Sequence, residues 1–550
     1  MDDIFEFGFY PRLADTDPTG ATFAVLKISG EEGISRPYRF SILVGMENCD
    51  SVENTVNSLL RQRLELDMIY RGCRRCLTGV ATSVEYVGTA GGRAHFRLEL
   101  EPKIMLLRRN TGSEVFLNKS IPEVIGEIIS RETGTAGDIK VDMSRIKADS
   151  YPKREMILRY NESSWDFISR LMEKAGIYYY FTFAAGPEGG DVILPAPETM
   201  IMSDNRSHEA AARAPALHES SRNLADAAAL TSVSLRFAPV AGGVSCSGYD
   251  MDTTRIRKTR PQDKGTVIFS ADEDPALAET CSGEKAQYHS GATAEEVAFQ
   301  NGLAREREIL KAVNLHADGA CVSCLPGEII TVSDLRGVKD STFLVTTITH
   351  RGRQAAYCAA GLVSGEKADL DPDNGYHNTL TAVPSRVQFR PEPVTPVPRI
   401  PGCIPAMVEG PDSSPFSPYM DDLGRYRIKL PFDLSDRIAG NSSCWIKLMT
   451  PYGGNVNTIG MHFPLLKDTQ VLVAFLDGDL DHPFILGTIQ DGTGSIVNSK
   501  RIMNNIIRTP GGNLFAMNDG TAEGDESFFF KNSYGYRCRG PVSDDLMNNL

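Results

Sequence analysis

The most constraining feature of this sequence is a run of short segments between Asp421 and Gly492. Apolar residues alternate with other residues along each segment, and each segment ends in a turn rich in Gly, Asp or Pro. About five such strands within about 70 residues favour a small closed β-barrel, because closure removes exposed sheet edges. No arrangement of side chains in this run is typical of bond-making or bond-breaking chemistry.

The order of residues in this run also carries a family resemblance. The pattern D-x-x-G-R-x-[RK]-[IV]-x-x-P, then S-C-W, P-x-x-G and F-L-x-G-D-x-D-x-P-x-I-x-G, resembles the OB-fold domain of VgrG proteins. These are the spike proteins of type VI secretion systems, related to the hub and needle proteins of contractile phage tails. The signature positions here are Gly424, Arg425, Cys444, Trp445, Pro451, Gly478, Asp479, Pro483 and Gly487.

Two further blocks resemble the same family. The stretch 160–181 is similar to its YNES–DFxxRLxxxxGIYYYF signature, with matching positions Tyr160, Asn161, Glu162, Ser163, Asp166, Arg170 and Gly176. Ser35-Arg36-Pro37-Tyr38 matches its N-terminal SRPY element. The resemblance covers roughly residues 20 to 515 in order.

The YNES block also makes a physical prediction of its own. Ser163 is a suitable N-cap for a helix whose third position is Asp166, and Gly176 suits the left-handed residue that ends a helix. Glu162 and Asp166 form a pair of carboxylates of the kind that glycoside hydrolysis uses. Helix capping accounts for Glu162 and Asp166 without a catalytic role. We therefore interpret both residues as structural and predict no catalytic residue.

We predict a mainly β chain with some helices (α+β). It has two barrel-like hub domains, a small OB-fold barrel and, as the resemblance implies, a short C-terminal start of a trimeric β-helix needle. The predicted segments are a first barrel (1–115), a helix/strand hub domain (116–200), a second barrel with a helix at 293–313 (201–383), a proline-rich linker (384–403), the OB-fold domain (404–495) and a neck with needle stub (496–550).

Charge and hydropathy exclude several classes of partner. The formal net charge is −14, and residues 405–492 carry six Lys and Arg against eleven Asp and Glu. This sign opposes a groove that follows nucleic acid phosphates, so no nucleic acid partner is predicted. No apolar run approaches the ~20 residues of a stable membrane span, and residues 1–15 lack the features of a signal peptide. We therefore expect synthesis in the cytoplasm without Sec export.

Eleven scattered cysteines suit a reducing compartment better than a disulfide framework. Two C-x-x-C pairs, Cys73/Cys76 and Cys321/Cys324, match the ligand spacing of one zinc site across two domains. The alternative is two pairs of small residues in β-hairpins, with Cys321 to Cys324 in a strand-like run. We favour the second interpretation and predict no metal or cofactor. The aspartates of Asp477-Gly-Asp479-Leu-Asp481 are likewise interpreted as β-turn residues rather than calcium ligands.

The C-terminal region resembles the start of the family's needle at Arg508–Phe515. The remaining length allows three or four needle strands. We expect these strands to have no partners within one chain, so that their edges pair between chains. Candidate trimer or tip contacts are Leu514, Phe515, Phe528, Phe529 and Phe530.

The resemblance implies a non-enzymatic homotrimeric hub and spike of a contractile injection machine. Its implied partners are a hexameric Hcp-like tube protein, baseplate proteins and a PAAR-like tip protein or effector. Its implied location is the cytoplasm before firing, followed by secretion or injection into a target cell. Two alternatives remain open: a tail hub or needle protein of a contractile phage or phage-like particle, and a cell-wall hydrolase associated with a tail.

Overall fold

The fold is taken from a computed structural model of the 550-residue chain. The structure describes residues 23–47, 49–60, 63–70, 73–133, 139–183, 198–211, 216–217, 229–241, 243–250, 255–258, 284–290, 293–332, 342–353, 375–411, 418–435, 437, 440–454, 459–490, 496, 502–520, 526–532 and 535–539.

Strands dominate this part of the chain. The described α-helices are α1 Val52–Leu59, α2 Ile121–Thr133, α3 Ser164–Ala175 and α4 Ala294–Leu310. Short 3₁₀ helices lie at Lys103–Arg109, Ala148–Ser150 and Leu476–Gly478. The strands are β1 Phe23–Gly33, β2 Arg36–Met46, β3 Arg63–Tyr70, β4 Cys73–Ala90, β5 Arg93–Glu101, β6 Thr111–Lys119, β7 Lys140–Arg145, β8 Arg154–Ser163, β9 Tyr178–Thr182, β10 Thr199–Ser203, β11 Glu209–Ala210, β12 Ala216–Leu217, β13 Ala229–Phe237, β14 Gly243–Asp250, β15 Arg255–Lys258, β16 Glu284–Ser290, β17 Val313–Gly319, β18 Glu328–Thr331, β19 Thr342–Arg353, β20 Tyr376–Pro384, β21 Cys403–Val408, β22 Ile428–Lys429, β23 Lys447–Leu448, β24 Gln470–Phe475, β25 Pro483–Thr488, β26 Asn504–Arg508, β27 Leu514–Asn518, β28 Ser527–Asn532 and β29 Gly535–Arg539. The predicted fold class, mainly β with some helices, is confirmed.

The chain divides into two compact units. The first consists of Met1–Gly112, Asn118–Arg154 and Arg159–Pro398. The second consists of Ser113–Leu117, Glu155–Leu158 and Arg399–Leu550. The second unit therefore includes two short segments that the sequence places far upstream of the OB-fold region.

A 12-stranded sheet organises the first unit. Its main path runs β12-β13-β17-β20-β19-β1-β2-β5-β4-β3, with β18 pairing to β19 and β11. The strands of the two predicted barrels join where β1 pairs antiparallel with β19, for example at Gly30 and His350. At this junction a Cβ on Gly30 would lie 2.2 Å from the Phe40 ring, so only a glycine fits under that side chain.

Alternating apolar residues explain why these strands form a sheet with a dry interior. Strand β17 alternates buried and half-buried positions, and Leu315 and Ala317 face the core. They meet Val345 and Ile348 of β19 and Leu380 of β20 in one buried cluster. Burial of apolar surface on this scale is the main stabilising contribution to such a fold.

Side-chain caps fix the starts of the helices. The Ser163 hydroxyl accepts a hydrogen bond from the Asp166 amide at 3.0 Å, so α3 begins where the sequence predicts. Thr293 and Glu296 form a reciprocal capping box at α4. Helix α3 ends at Gly176, whose φ of 71° is left-handed and whose missing side chain leaves room for Leu303 of α4.

The proline-rich segment is held along the first unit up to Pro398. Arg390 donates to the Glu306 carboxylate at 2.5 Å and to the Gly176 carbonyl at 2.8 Å. The Thr395 hydroxyl donates to the Glu173 carboxylate at 2.7 Å, and the Thr395 amide donates to the same group. Arg390 and Thr395 thus anchor a segment that lacks regular hydrogen bonding of its own.

Two sheets form most of the described second unit. A five-stranded sheet has the order β22-β21-β24-β25-β23 and encloses Val471, Val473 and Phe475 of β24, which are buried. A four-stranded antiparallel sheet, here called the C-terminal sheet, has the order β26-β27-β28-β29. The predicted alternation along β24 is therefore confirmed, and the C-terminal strands number four within the described residues.

Candidate assembly surface

The C-terminal sheet begins with a tight hairpin between β26 and β27. The Thr509 amide donates to the Asn513 carbonyl at 2.9 Å, and the Gly512 amide donates to the Thr509 carbonyl at 3.0 Å. Gly512 has a φ of 82°, a conformation that favours glycine. The sequence Thr-Pro-Gly-Gly-Asn thus folds as a turn and aligns Arg508 with Leu514.

These strands pair with one another within a single chain, so the prediction that they have no intrachain partners is wrong. Strand β27 pairs with β26 and β28, and β28 pairs with β29. The physical reason is the hairpin at Gly512, which returns the chain antiparallel to itself. Within the described residues, this sheet still ends at β26 and β29 with no further strand beside either.

The pairing register assigns the predicted contact residues to two faces. Phe515 lies opposite Phe530, and Phe528 is two residues away on the same face. The three rings have centroids 5.1–5.2 Å apart and form a compact cluster. Leu514 lies on the other face, buried with Ala516. The side chain of Phe529 lies outside the described residues.

The face that carries the three phenylalanines holds mostly apolar side chains and is partly exposed; we call it the Phe face. It also holds Ile507 and Met517, which alternate onto it from β26 and β27. Phe530 is 51% exposed, Ile507 42% and Met517 41%. An apolar surface of this kind on one sheet is typical of a protein contact rather than of a solvated surface.

A second exposed apolar group lies in the OB-fold region. The Met461 amide donates to the Tyr452 carbonyl at 3.0 Å, and the Gly454 amide donates to the Ile459 carbonyl at 2.9 Å. This local pairing brings together the side chains of Tyr452, Ile459, Met461 and Phe463, which are all exposed. The group follows directly on Pro451, itself an exposed signature residue.

The D-x-x-G-R signature forms a self-contained turn. One Asp421 carboxylate oxygen accepts from the Leu423 amide at 3.0 Å and the Arg425 amide at 2.8 Å. The other pairs with the Arg425 guanidinium at 2.7 Å. Gly424 supplies the left-handed residue, with a φ of 71°. The signature thus encodes a turn, and its polar groups are satisfied locally.

The S-C-W element packs against the strand that follows this turn. The Ser443 hydroxyl accepts from the Ile428 amide at 2.9 Å. The Trp445 ring contacts the Arg427 guanidinium, 4.6 Å from its centroid, and the tilted ring of Tyr419, whose centroid is 5.2 Å away. Burial raises the pKa of the Cys444 thiol to about 12, so this cysteine stays protonated and unreactive at neutral pH.

The last signature residues shape the hairpin between β24 and β25. Asp477 and Gly478 have φ of 52° and 73°, and Asp479 accepts from the Asp481 amide at 3.1 Å. Pro483 begins β25, and Gly487 follows a register shift in that strand pair. This geometry is that of a turn, in agreement with the interpretation of the Asp-rich stretch.

The YNES residues form a buried structural cluster in the first unit. The Arg170 guanidinium donates two hydrogen bonds, of 2.7 and 2.8 Å, to the Glu162 carboxylate. The Ser163 hydroxyl donates to the Asp166 carboxylate at 2.7 Å. Asn161 has a φ of 47°, which turns the chain from β8 into α3, and Tyr160 is half-buried. Both candidate carboxylates are therefore engaged: Glu162 by Arg170 of α3, and Asp166 by Ser163 at the helix N-cap.

A buried charge network in the first unit was not predicted from the sequence. The Arg75 guanidinium donates to both oxygens of Glu32 at 2.7 and 2.6 Å, and His350 lies 2.8 Å from the same carboxylate. Tyr376 contacts the other His350 nitrogen at 2.6 Å. Burial raises the pKa of Glu32, but Arg75 and His350 outweigh it and bring the pKa down to about 2. The feature of the sequence that could have indicated this network is Glu32, a carboxylate at an inward-facing position of strand β1.

The described cysteines of the two C-x-x-C pairs make different contacts. The Cys76 thiol donates to Glu65 at 2.8 Å, and together with Asp67 these residues place potential ligand atoms within 4.8 Å of one another. Cys321 instead contacts Cys324. Cys321 to Cys324 form a turn after β17, so the strand-like interpretation of that run is wrong. The side chain of Cys73 lies outside the described residues.

The helices seen in the described residues include none with the length and apolar character needed to cross a bilayer.

Comparison with protein families gives two matches along the chain. The model of the phage tail baseplate hub (GPD) matches residues 31–356, more than half of the chain. The model of the type VI secretion system/phage-baseplate injector OB domain matches residues 419–489. The predicted resemblance is thereby confirmed in the hub and OB-fold regions.

Curated relatives from Pseudomonas aeruginosa are type VI secretion system spike proteins. VgrG5 is 27% identical over 473 residues, covering 85% of this chain and 56% of its own length. VgrG1a is 25% identical over 501 residues, covering 88% and 70%. The chain spans 56–61% of the length of the first three such relatives.

Solved structures share the fold. The E. coli c3393 protein, described as a type VI secretion component similar to phage T4 gp27 and gp5, aligns with a TM-score of 0.57 at 21% identity. The alignment covers 86% of this chain and 98% of that one. A chain of the Francisella PdpA–VgrG complex aligns with a TM-score of 0.57 at 11% identity, covering 94% and 76%.

Proposed function

The chain belongs to the phage tail baseplate hub (GPD) family, and from this premise we propose that it is a trimeric hub-and-spike component of a type VI secretion system. In this role it transmits mechanical load rather than transforming a substrate. The similarity to curated VgrG spike proteins supports the type VI assignment, because it extends over 85% of the chain.

The observation that carries the proposal is the Phe face of the C-terminal sheet. The exposed side chains of Phe530, Ile507 and Met517 and the outer strands β26 and β29 leave apolar surface and backbone groups that a neighbouring chain can bury. Three copies about one axis satisfy such a surface in a closed assembly, because each copy offers the same edge and face. Phe515, Phe528 and Phe530 are the proposed trimer or tip contacts.

The proposed partners follow from where the hub and the C-terminal sheet would lie in such an assembly. Three hubs form a ring that caps an Hcp-like tube and meets baseplate proteins, and the C-terminal sheet carries a PAAR-like tip or an effector. The solved PdpA–VgrG complex supports the presence of an additional bound protein on this fold. The proposed location is the cytoplasm before firing and the medium or target cell afterwards.

A tail hub of a contractile phage or phage-like particle is the second candidate. The matching hub model is itself described as a phage tail baseplate hub, so the first unit alone supports both roles. A hydrolase is a weaker candidate, because Glu162 and Asp166 are held by Arg170 and Ser163.

The experiment that tests the proposal is deletion of this gene in its source bacterium. We expect export of the ring-forming tube protein into the medium to stop, and a plasmid copy of the wild-type chain to restore it. Complementation with Phe530→Glu is expected to fail, while Leu434→Ser, which changes an exposed residue outside the C-terminal sheet, is expected to restore export. Export that continues in the deletion strain contradicts the secretion role. Loss of phage-like particles instead supports the tail-hub alternative.

A further inference from the structure

The C-x-x-C turn after β17 holds two thiols in direct contact. The Sγ atoms of Cys321 and Cys324 lie 2.6 Å apart, and both residues are fully buried. Neither is joined to another cysteine in the structure. Their contact is closer than two sulfur atoms that merely pack, so the turn already presents the two atoms that a disulfide would join.

The surrounding residues hold this turn in place. The Asn378 amide bridges it, accepting from the Cys321 amide at 3.2 Å and donating to the Cys321 carbonyl at 2.7 Å. The Arg75 guanidinium donates to the Cys324 carbonyl at 3.5 Å. Asn378 is itself fully buried. The backbone at both cysteines is therefore fixed, and disulfide formation requires little rearrangement.

The two thiols differ in chemical character. A hydrogen bond from the Cys324 thiol lowers the pKa of Cys321, with a smaller contribution from Ser323. The same contact, together with burial, raises the pKa of Cys324. A thiolate is the reactive form of cysteine, so Cys321 is the better nucleophile of the pair and Cys324 is placed to resolve an oxidised Cys321.

We propose that Cys321 and Cys324 are an oxidation site that closes to a disulfide within the turn when the protein meets a peroxide. The Cys321 thiolate attacks one peroxide oxygen and breaks the O–O bond, giving a sulfenic acid and, after protonation, one water. The Cys324 sulfur then attacks the sulfenic sulfur, forms the S–S bond and releases a second water. The two thiols together lose two protons and two electrons, and the peroxide is reduced by two electrons.

The consequence is a covalent lock within the turn that connects β17 to β18. The lock is reversible by a dithiol, because thiol–disulfide exchange returns both cysteines to the reduced state. In an oxidising environment the disulfide adds a stabilising cross-link, and in a reducing environment both cysteines remain thiols.

Tryptic cleavage provides a direct readout. Lys311 and Arg336 bound a peptide, residues 312–336, that contains Cys321, Cys324 and no other cysteine. The full chain is reduced, freed of reductant, incubated with hydrogen peroxide, then denatured and alkylated. We expect this peptide to be two hydrogens lighter than its reduced form and to carry no alkyl group. Dithiothreitol before alkylation is expected to restore two alkylated cysteines.

Variants separate this reaction from general oxidation. Cys321→Ala and Cys324→Ala each remove the closed form of the peptide, whereas Cys403→Ala, at an exposed cysteine, leaves it unchanged. A thermal melt of the wild-type chain is expected to shift upward after oxidation and to return with dithiothreitol. The proposal is overturned by two fully alkylated cysteines after oxidation, by a stable sulfenic or sulfinic acid at Cys321, or by a cross-link from Cys321 to any cysteine other than Cys324. The wild-type peptide alone decides this, even if a variant fails to fold.

Discussion

At the scale of single residues, the first unit depends on buried charges that are satisfied by named partners. The Glu162–Arg170 pair and the Glu32–Arg75–His350 network both lie at positions less than one-tenth exposed. A buried ion pair stabilises little relative to apolar replacements, but removing one partner leaves an uncompensated charge. The pair and the network therefore each lead to a separate prediction about stability.

Replacing Arg170 by methionine is expected to destabilise the first unit by about 3–5 kcal/mol, because the Glu162 carboxylate stays buried without its guanidinium. Urea unfolding of the purified chain measures this. The matched control is Arg36→Met, which breaks the exposed Arg36–Glu31 pair at 62% and 54% exposure and is expected to change stability by under about 1 kcal/mol. An equal loss of unfolding free energy in the two variants contradicts the role assigned to burial of the Glu162–Arg170 pair.

Acid is expected to destabilise the chain through Glu32. The pKa of Glu32 falls from 4.5 to about 2 on folding, so its contribution is fully present above about pH 4.5 and is lost as the pH falls to about 2. At about 1.4 kcal/mol per pKa unit, the loss is on the order of 3 kcal/mol. His350 acts in the same direction from a higher pH, because burial lowers its pKa and the unfolded chain takes up the proton first.

The check is the free energy of unfolding measured against pH for the wild type and for Glu32→Gln. The variant is expected to be less stable at neutral pH and to show a flatter dependence between about pH 4.5 and 2. Glu31→Gln, at the exposed neighbour, is expected to keep the wild-type slope. A wild-type slope in Glu32→Gln shows that another carboxylate governs the acid limb.

At the scale of elements, local patterns were predicted well. The capping residues Ser163 and Thr293 start their helices as expected, because a cap and its partner lie only three residues apart in sequence. The turn at Cys321 was mistaken for a strand, because its conformation depends on Asn378, 57 residues away. The pairing of the C-terminal strands within one chain was not predicted. It depends on the left-handed conformation of Gly512, which forms a tight turn where an intertwined strand was expected.

The anchoring of the proline-rich segment leads to an element-scale prediction. Glu173→Ala removes the carboxylate that accepts from both the amide and hydroxyl of Thr395. Amide exchange measured by mass spectrometry is expected to become faster in the peptide around Thr395 and to stay unchanged in α4. Glu392→Ala, at an exposed site on the same segment, is the control. Unchanged protection in Glu173→Ala contradicts the anchoring role of this contact.

At the scale of the whole molecule, the sequence predicted the fold class and the hub and OB-fold regions, but not how the strands join. The β1–β19 pair links residues about 320 positions apart, such as Gly30 and His350, and no local pattern specifies such a partner. The Glu32 network depends on this junction, because its charges come from β1, β4 and β19. The Phe face was foreseen as a contact region from its run of phenylalanines, while the division into faces required the strand register.

The central claim is that three copies of the chain assemble through the Phe face. Sedimentation equilibrium of the full chain at micromolar concentration tests it most directly. We expect a particle of three times the chain mass, dissociation to single chains in Phe530→Glu, and an unchanged trimer in the control Leu434→Ser. A wild-type chain that sediments as a monomer, or a Phe530→Glu variant that stays trimeric, contradicts it.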